Sequence, residues 1–226
     1  MPLQRKLIVE FIGTFFLVFT VCEATNPKTG AGTIAPLAIG AVLMVMVFAG
    51  GHISGAHYNP AVSTAVMLRG KMSSTEYGPY LVAQFLAALI AALIARAVSG
   101  GGHAGPLPGV GKELIVEFLF TFALAYVVLN VATARGTEGN SFYGLAIGFT
   151  VAAGAYAVGG ISGGAFNPAV AFGAMVLGIL KWSHIWVYLL ANLLGGAAAA
   201  VVFLYVQPAE KVEGDIEAAR AGGPRG

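Results

Sequence analysis

The sequence predicts an all-α membrane protein with six transmembrane helices plus two re-entrant half-helices, arranged as two inverted repeats. Three observations carry this. Hydrophobic residues make up 58% of the 226-residue chain and charged residues 10%, against roughly 25% charged in a soluble domain, and the mean hydropathy is +0.82. A soluble bundle of this composition would have almost nothing polar to place on its surface. The stretch Ser54-Gly55-Ala56-His57-Tyr58-Asn59-Pro60-Ala61-Val62 returns as Ser162-Gly163-Gly164-Ala165-Phe166-Asn167-Pro168-Ala169-Val170, so two Asn-Pro-Ala tripeptides stand 108 residues apart. Finally, Leu7-Ile8-Val9-Glu10-Phe11 recurs letter for letter as Leu114-Ile115-Val116-Glu117-Phe118.

Taken in order, the apolar segments fall at 7–24, 35–50, 76–98, 113–134, 143–159 and 185–206. Arg5-Lys6 ahead of the first has the outline of a signal peptide. The run that follows, however, carries Glu10, continues to about Val21 and meets no small-residue cleavage site, so it reads as a retained first membrane helix. After the second and fifth segments come the twin motifs. Asn is a favoured helix cap, and Pro a favoured first helical residue because it has no N–H to leave unpaired. The helix-compatible runs 60–69 and 168–177 are each roughly 15 Å long at about 1.5 Å per residue, half of a ~30 Å hydrocarbon core. Half-length helices with polar caps, in a membrane protein, are re-entrant, and their positive ends must lie near the midplane. The Gly-rich stretch 99–112, with Pro106 and Pro108, reads as an external linker, and 207–226 as a disordered cytoplasmic tail.

The first repeat spans 1–98 and the second 113–206. Leu37-Ala38-Ile39-Gly40 is answered by Leu145-Ala146-Ile147-Gly148, and Tyr80-Leu81-Val82-Ala83-Gln84 by Tyr188-Leu189-Leu190-Ala191-Asn192. Three spans per repeat is an odd number, so the second copy enters the bilayer upside down. Interrupted segments at matching places in inverted halves point to the functional site. One half-helix should dip in from each face, with Asn59 and Asn167 meeting at the centre.

Six spans leave both termini on one side. Arg5, Lys6, Arg69, Lys71, Arg135, Lys211, Arg220 and Arg225 fall on that side, and Lys28, Arg96, Lys112 and Lys181 opposite. That bias favours cytoplasmic termini. The expected home is the plasma membrane or an inner cell membrane. Gly and Ala crowd the spans, as in Gly195-Gly196-Ala197-Ala198-Ala199-Ala200, and small residues let transmembrane backbones approach closely.

Each Asn caps its helix through the side-chain oxygen and leaves its amide NH₂ free to donate. Two donors backed by two positive helix ends favour oxygen acceptors and repel cations. The loop ahead of each Asn cannot hydrogen-bond to lipid, so its carbonyls must line a wet cavity. Gly55, Ala56 and His57 on one side, and Gly163, Gly164 and Ala165 on the other, are the expected carbonyl lining. Glu10 and Glu117 are buried acids early in their spans. Proton coupling and bracing of a loop's N–H groups are both open to them, and their symmetric placement favours bracing. His57 reads as a loop brace too, while His103 and His184 read as ordinary residues of the external loops.

The chemistry otherwise excludes more than it offers. The lone Cys22 rules out an intramolecular disulfide and a Cys-based metal cluster. No nucleophile–base set, metal-ligand cluster or phosphate loop appears, so neither an enzyme nor a cofactor is expected. The net charge of +2 is too small and too dispersed for nucleic acid.

The twin Asn-Pro-Ala loops, the repeated Glu-Phe, and His52-Ile53-Ser54-Gly55-Ala56-His57 resemble the aquaporin (major intrinsic protein) family over residues 1–206. The resemblance implies the right-handed six-helix fold, a pore for water or small solutes in each protomer, a homotetramer in the lipid bilayer, and the bracing role of Glu10 and Glu117. It also places the selectivity constriction on Ile39, Ala155, Gly164 and Val170. Most members carry Arg where Val170 stands; the second motif with Val170 and Ala171 resembles the plant vacuolar branch, where Val is tolerated. Without an aromatic, a His or a charge, the constriction is expected to be wide and apolar, passing water and also glycerol, urea, ammonia or metalloid hydroxides. Tyr156 swinging inward would instead rebuild a strict water pore. A secondary transporter and a structural junction protein are the competing classes.

Overall fold

The computed structural model describes residues 1–28, 30–105 and 109–210. Among them, six helices are long and apolar enough to cross a membrane: α1 Leu3–Ala24, α2 Ala35–Ser54, α4 Ser74–Ser99, α5 Val110–Ala132, α6 Tyr143–Ser162 and α8 Ile185–Val206. Between them lie two short ones, α3 Pro60–Leu68 and α7 Pro168–Leu177. A transmembrane-length helix needs about 20 residues; α3 has 9 and α7 has 10. α2 and α6 each run past the expected end of their span. They stop where Gly55 and Gly163 take left-handed φ angles of 87° and 85°, a conformation that costs a glycine little and that closes a helix.

At most 50% of the residues in any span's apolar core window are buried inside the protein. The outer faces carry exposed Ile8, Phe16, Val45, Val82, Ile115, Phe149 and Val201. An outward apolar face on every long helix is what a lipid environment requires.

Within each half the first helix packs on the other two spans: α1 on α2 and α4, α5 on α6 and α8. Across the halves α2 lies against α6, and each half-helix packs on the last span of the opposite half, α3 on α8 and α7 on α4. The halves are therefore interlocked rather than merely adjacent. They cross closely at Gly40 and Gly148, where a Cβ on Gly40 would sit 2.6 Å from the Gly148 carbonyl oxygen, and one on Gly148 2.4 Å from that of Gly40. Small residues act here as the composition suggested, by letting two backbones touch.

The segment after α8 departs from expectation. Residues 207–210 are ordered, and Glu210 is buried. Its carboxylate pairs with the buried guanidinium of Arg69, just past the end of α3. Arg69 also donates to the Thr133 side chain at 3.0 Å and the Thr133 carbonyl at 3.1 Å, and lies 5.3 Å over the Phe203 ring. A buried guanidinium demands a counter-charge, and Glu210 supplies it from beyond the last span. Residues 211–226 of the expected tail, like 106–108 of the expected linker, lie outside the described residues.

His184 also departs from the reading as an ordinary loop residue. It is buried and hydrogen-bonds Glu113 through Nδ1. In the first half the corresponding positions hold Lys6 and Glu76, paired at 2.7 Å. The two repeats thus keep a contact between a glutamate and a nitrogen-bearing side chain at matching places, with the glutamate on the third span in the first half and on the first span in the second.

Candidate functional site

Each re-entrant loop turns through a run of left-handed residues: Gly55, Ala56 and Tyr58 in the first half, Gly163, Gly164 and Phe166 in the second. Ala56, Tyr58 and Phe166 have φ of 51°, 50° and 48°, a region that costs a non-glycine residue about 1–3 kcal/mol. The surroundings must over-determine that shape, and a buried carboxylate does so in each half. Glu10 accepts from the backbone N–H of His57 at 2.9 Å and of Tyr58 at 2.7 Å, and from the Ser54 hydroxyl at 2.8 Å. Glu117 accepts from Ala165 at 3.0 Å, Phe166 at 2.8 Å and Ser162 at 2.6 Å. Both carboxylates are fully enclosed, and the backbone N–H groups they accept from belong to the loop of their own half.

Sequence reasoning missed the rest of the brace. The Gln84 amide donates to Glu10 at 2.9 Å and the Asn192 amide to Glu117 at 2.9 Å. The Tyr80 and Tyr188 hydroxyls donate to the carbonyls of Ser54 and Ser162. The signal was present: the repeat keeps Tyr and a side-chain amide four residues apart in both third spans.

The loops deliver Asn59 and Asn167 in extended conformation, φ −158° in both. Asn59 Oδ1 accepts from the Ala61 N–H at 2.8 Å, and Asn167 Oδ1 from Ala169 at 2.9 Å, behind the first helical residues Pro60 and Pro168. The amides are not wholly free, as the capping argument alone suggested. Asn59 Nδ2 donates to the Phe166 carbonyl at 2.9 Å, and Asn167 Nδ2 to the Tyr58 carbonyl at 2.8 Å. Each amide spends one N–H on the opposite loop and keeps one.

Both Asn side chains line a central cavity of about 20 Å³. Its wall falls into eight pairs, one member from each repeat: Leu17 and Leu124, Val21 and Val128, Ile39 and Ile147, Leu43 and Val151, Ala56 and Gly164, His57 and Ala165, Asn59 and Asn167, Val62 and Val170. A water needs about 10–15 Å³ by this measure, so the cavity admits roughly one at a time. On one side it adjoins a vestibule of about 710 Å³ that includes Lys6, His52, Lys71, Glu76, Arg135 and Glu138, and the two cavities share His57 and Val128.

Ile39, Gly164 and Val170 line the central cavity. The Cα of Ala155 sits 3.4 Å from where a Gly164 side chain would begin. One helical turn earlier, Val151 lines the cavity as well. Tyr156 is 56% exposed and lines neither cavity. Of the expected carbonyl residues, Ala56, His57, Gly164 and Ala165 line the central cavity, Gly55 lines the vestibule, and Gly163 lines neither.

Residues 1–203 match the model of the major intrinsic protein family. The chain is 37% identical over 212 residues to aquaporin NIP1-4 of Oryza sativa subsp. japonica, covering 90% of this chain and 77% of the relative. It is 36% identical over 221 residues to nodulin-26 of Glycine max, covering 93% and 80%. Neither name marks a vacuolar branch. Among solved structures, the aquaglyceroporin from Plasmodium falciparum superposes with a TM-score of 0.77 at 22% identity, covering 93% of this chain and all of that one, a likeness of fold.

Proposed function

The chain belongs to the major intrinsic protein family, and from that premise we propose that it forms a passive, ion-excluding pore selective for uncharged molecules small enough to pass in single file. That it is a multi-pass membrane protein of a channel family acting on water and small solutes follows from the family and the six spans. The observation that carries the finer reading is the pair of capped half-helix ends at one small cavity. Each helix N-terminus contributes roughly +0.5 charge, and each Asn keeps one N–H for a passing oxygen. Two positive ends facing one narrow, largely apolar space raise the energy of a cation there and leave a neutral acceptor unpenalised.

The apolar wall sets the order of permeants. Around the two Asn residues, Leu, Ile and Val side chains dominate, so a solute surrenders most of its hydration. Water and small, weakly hydrated molecules such as ammonia and urea cross more readily than glycerol. A strictly water-selective pore is the second reading, and the small central volume favours it. Cytoplasmic termini follow from the basic residues on their side, and a homotetramer from the family resemblance.

Stopped-flow measurement on proteoliposomes tests both readings. Osmotic water permeability above bare liposomes with a low activation energy, together with urea influx, supports the proposal. Water flux without urea flux moves the assignment to the strict water pore. No flux above bare liposomes, or transport that follows a proton or sodium gradient, overturns it.

A further inference from the structure

Seven of the eight pairs lining the central cavity match in polarity; only His57, opposite Ala165, does not. The residue behind His57 is unlike its counterpart as well: Ser63 in the first half corresponds to Ala171 in the second. Two polar residues are thus present together in one repeat and absent together from the other, which suggests that they act as a unit.

The hydrogen bonds define what that unit does. His57 Nδ1 and Ser63 Oγ lie 3.0 Å apart. Ser63 is fully enclosed, and Gln84 Nε2 reaches both Ser63 Oγ at 3.1 Å and Glu10 Oε2 at 2.9 Å. A carboxylate oxygen that already takes the Tyr58 N–H offers only lone pairs, so the Gln84 atom facing it is the amide nitrogen. That same nitrogen donates to Ser63. The Ser63 proton then needs an acceptor, and the one it meets among the described residues is His57 Nδ1. With Nδ1 accepting, a neutral imidazole carries its hydrogen on Nε2; this tautomer is assigned from the hydrogen-bond network. Nε2 has no protein partner among the described residues, while the His57 side borders both cavities.

We infer that Ser63, held by Gln84, is a positioning residue that fixes His57 as an Nε2–H donor at the junction of vestibule and central cavity. The inference rests on the channel reading. It gives the path a third donor, displaced from the Asn pair toward the vestibule. A solute entering from that side meets a hydrogen-bond donor before it reaches the apolar wall; one entering from the other side meets the methyl group of Ala165. The arrangement favours solutes that present a carbonyl or hydroxyl oxygen, and places their first desolvation step at His57.

The test uses the full chain with isotope-labelled histidine nitrogens, reconstituted in liposomes near neutral pH. The chain has four His, so comparison with His57→Asn assigns the His57 signals in solid-state NMR, where the protonated and bare ring nitrogens are resolved. Wild type should show the hydrogen on Nε2, Ser63→Thr should keep it there, and Ser63→Ala should lose the preference. In the same liposomes Ser63→Ala should lower the urea-to-water permeability ratio about fivefold, the size expected of one net hydrogen bond, and Ser63→Thr should restore it. A wild-type spectrum with the hydrogen on Nδ1 overturns the inference even if Ser63→Ala fails to fold. So does a Ser63→Ala protein with an unchanged spectrum and ratio. Absence of any flux in wild type would instead count against the channel reading, and the spectrum would still report the tautomer.

Discussion

Arg69 and Glu210 form a buried ion pair across 141 residues of sequence. The pair joins three places that the chain reaches separately: the end of half-helix α3, the turn after α5 through Thr133 and Arg135, and the segment following α8. Part of that turn forms the vestibule wall. Arg69 also sits at the carbonyl end of α3, where a cation complements the helix dipole.

Replacing Glu210 by Gln leaves Arg69 enclosed without its counter-charge. Breaking a buried pair from one side costs about 3–5 kcal/mol, so Glu210→Gln should lower the unfolding midpoint in detergent. Truncation after Val206 should have a similar effect. A midpoint unchanged in both would show that the pair contributes nothing.

The same pair gives a pH dependence of known sign. Burial pushes the Glu210 carboxyl up, but the Arg135 backbone N–H and the Arg69 guanidinium outweigh it and hold the group below the ordinary carboxylate range. A group depressed in the folded state binds more protons when unfolded, so its stabilisation is fully present above the unfolded value of roughly 4.3 and is lost as pH falls through the folded one. Thermal scans of wild type should lose stability on acidification below about pH 4.3, and Glu210→Gln should flatten that limb.

Glu10 and Glu117 each accept two backbone N–H groups, a hydroxyl and an amide. A Gln at either place turns an NH₂ toward those donors, and each buried donor left unpaired costs about 1–3 kcal/mol. Glu10→Gln and Glu117→Gln should therefore both abolish osmotic permeability and lower the yield of folded protein, to a similar extent. Transport that becomes gradient-independent while folding is preserved would instead indicate proton coupling.

Val170 is 5% exposed and faces the central cavity. Val170→Arg would put a guanidinium into a space of about 20 Å³, taking volume from the path and adding a fixed positive charge. Urea flux should fall about tenfold or more, a barrier change of roughly 1.4 kcal/mol, with water flux less affected. Val62→Arg, at the paired position, should act alike if the two repeats contribute equally to the wall.

Cys22 is the single cysteine of the chain, fully buried and absent from both cavity walls. Mercurials at micromolar concentration should leave water permeability unchanged in wild type. Inhibition that disappears in Cys22→Ala would place that thiol on the path.

Much of the site could be read from the chain because inverted repeats write each feature twice. One Asn-Pro-Ala, or one buried Glu, is ambiguous; two in register identify a half-helix cap and its brace. The pairing of Gln84 and Asn192 with those carboxylates was present in the same repeat, but a lone amide in an apolar span has many uses, and only distance singles one out.

The sequence by itself determined the number of spans, the two half-helices and the Asn residues at their tips, because hydropathy, capping and repetition are local properties that survive without coordinates. Tertiary structure decided what those tips do with their hydrogens and how much room lies between them. Asn59 bonds Phe166 and Asn167 bonds Tyr58, contacts between chain segments about a hundred residues apart. The central cavity is lined by side chains from both repeats, and no local pattern records which of them meet there.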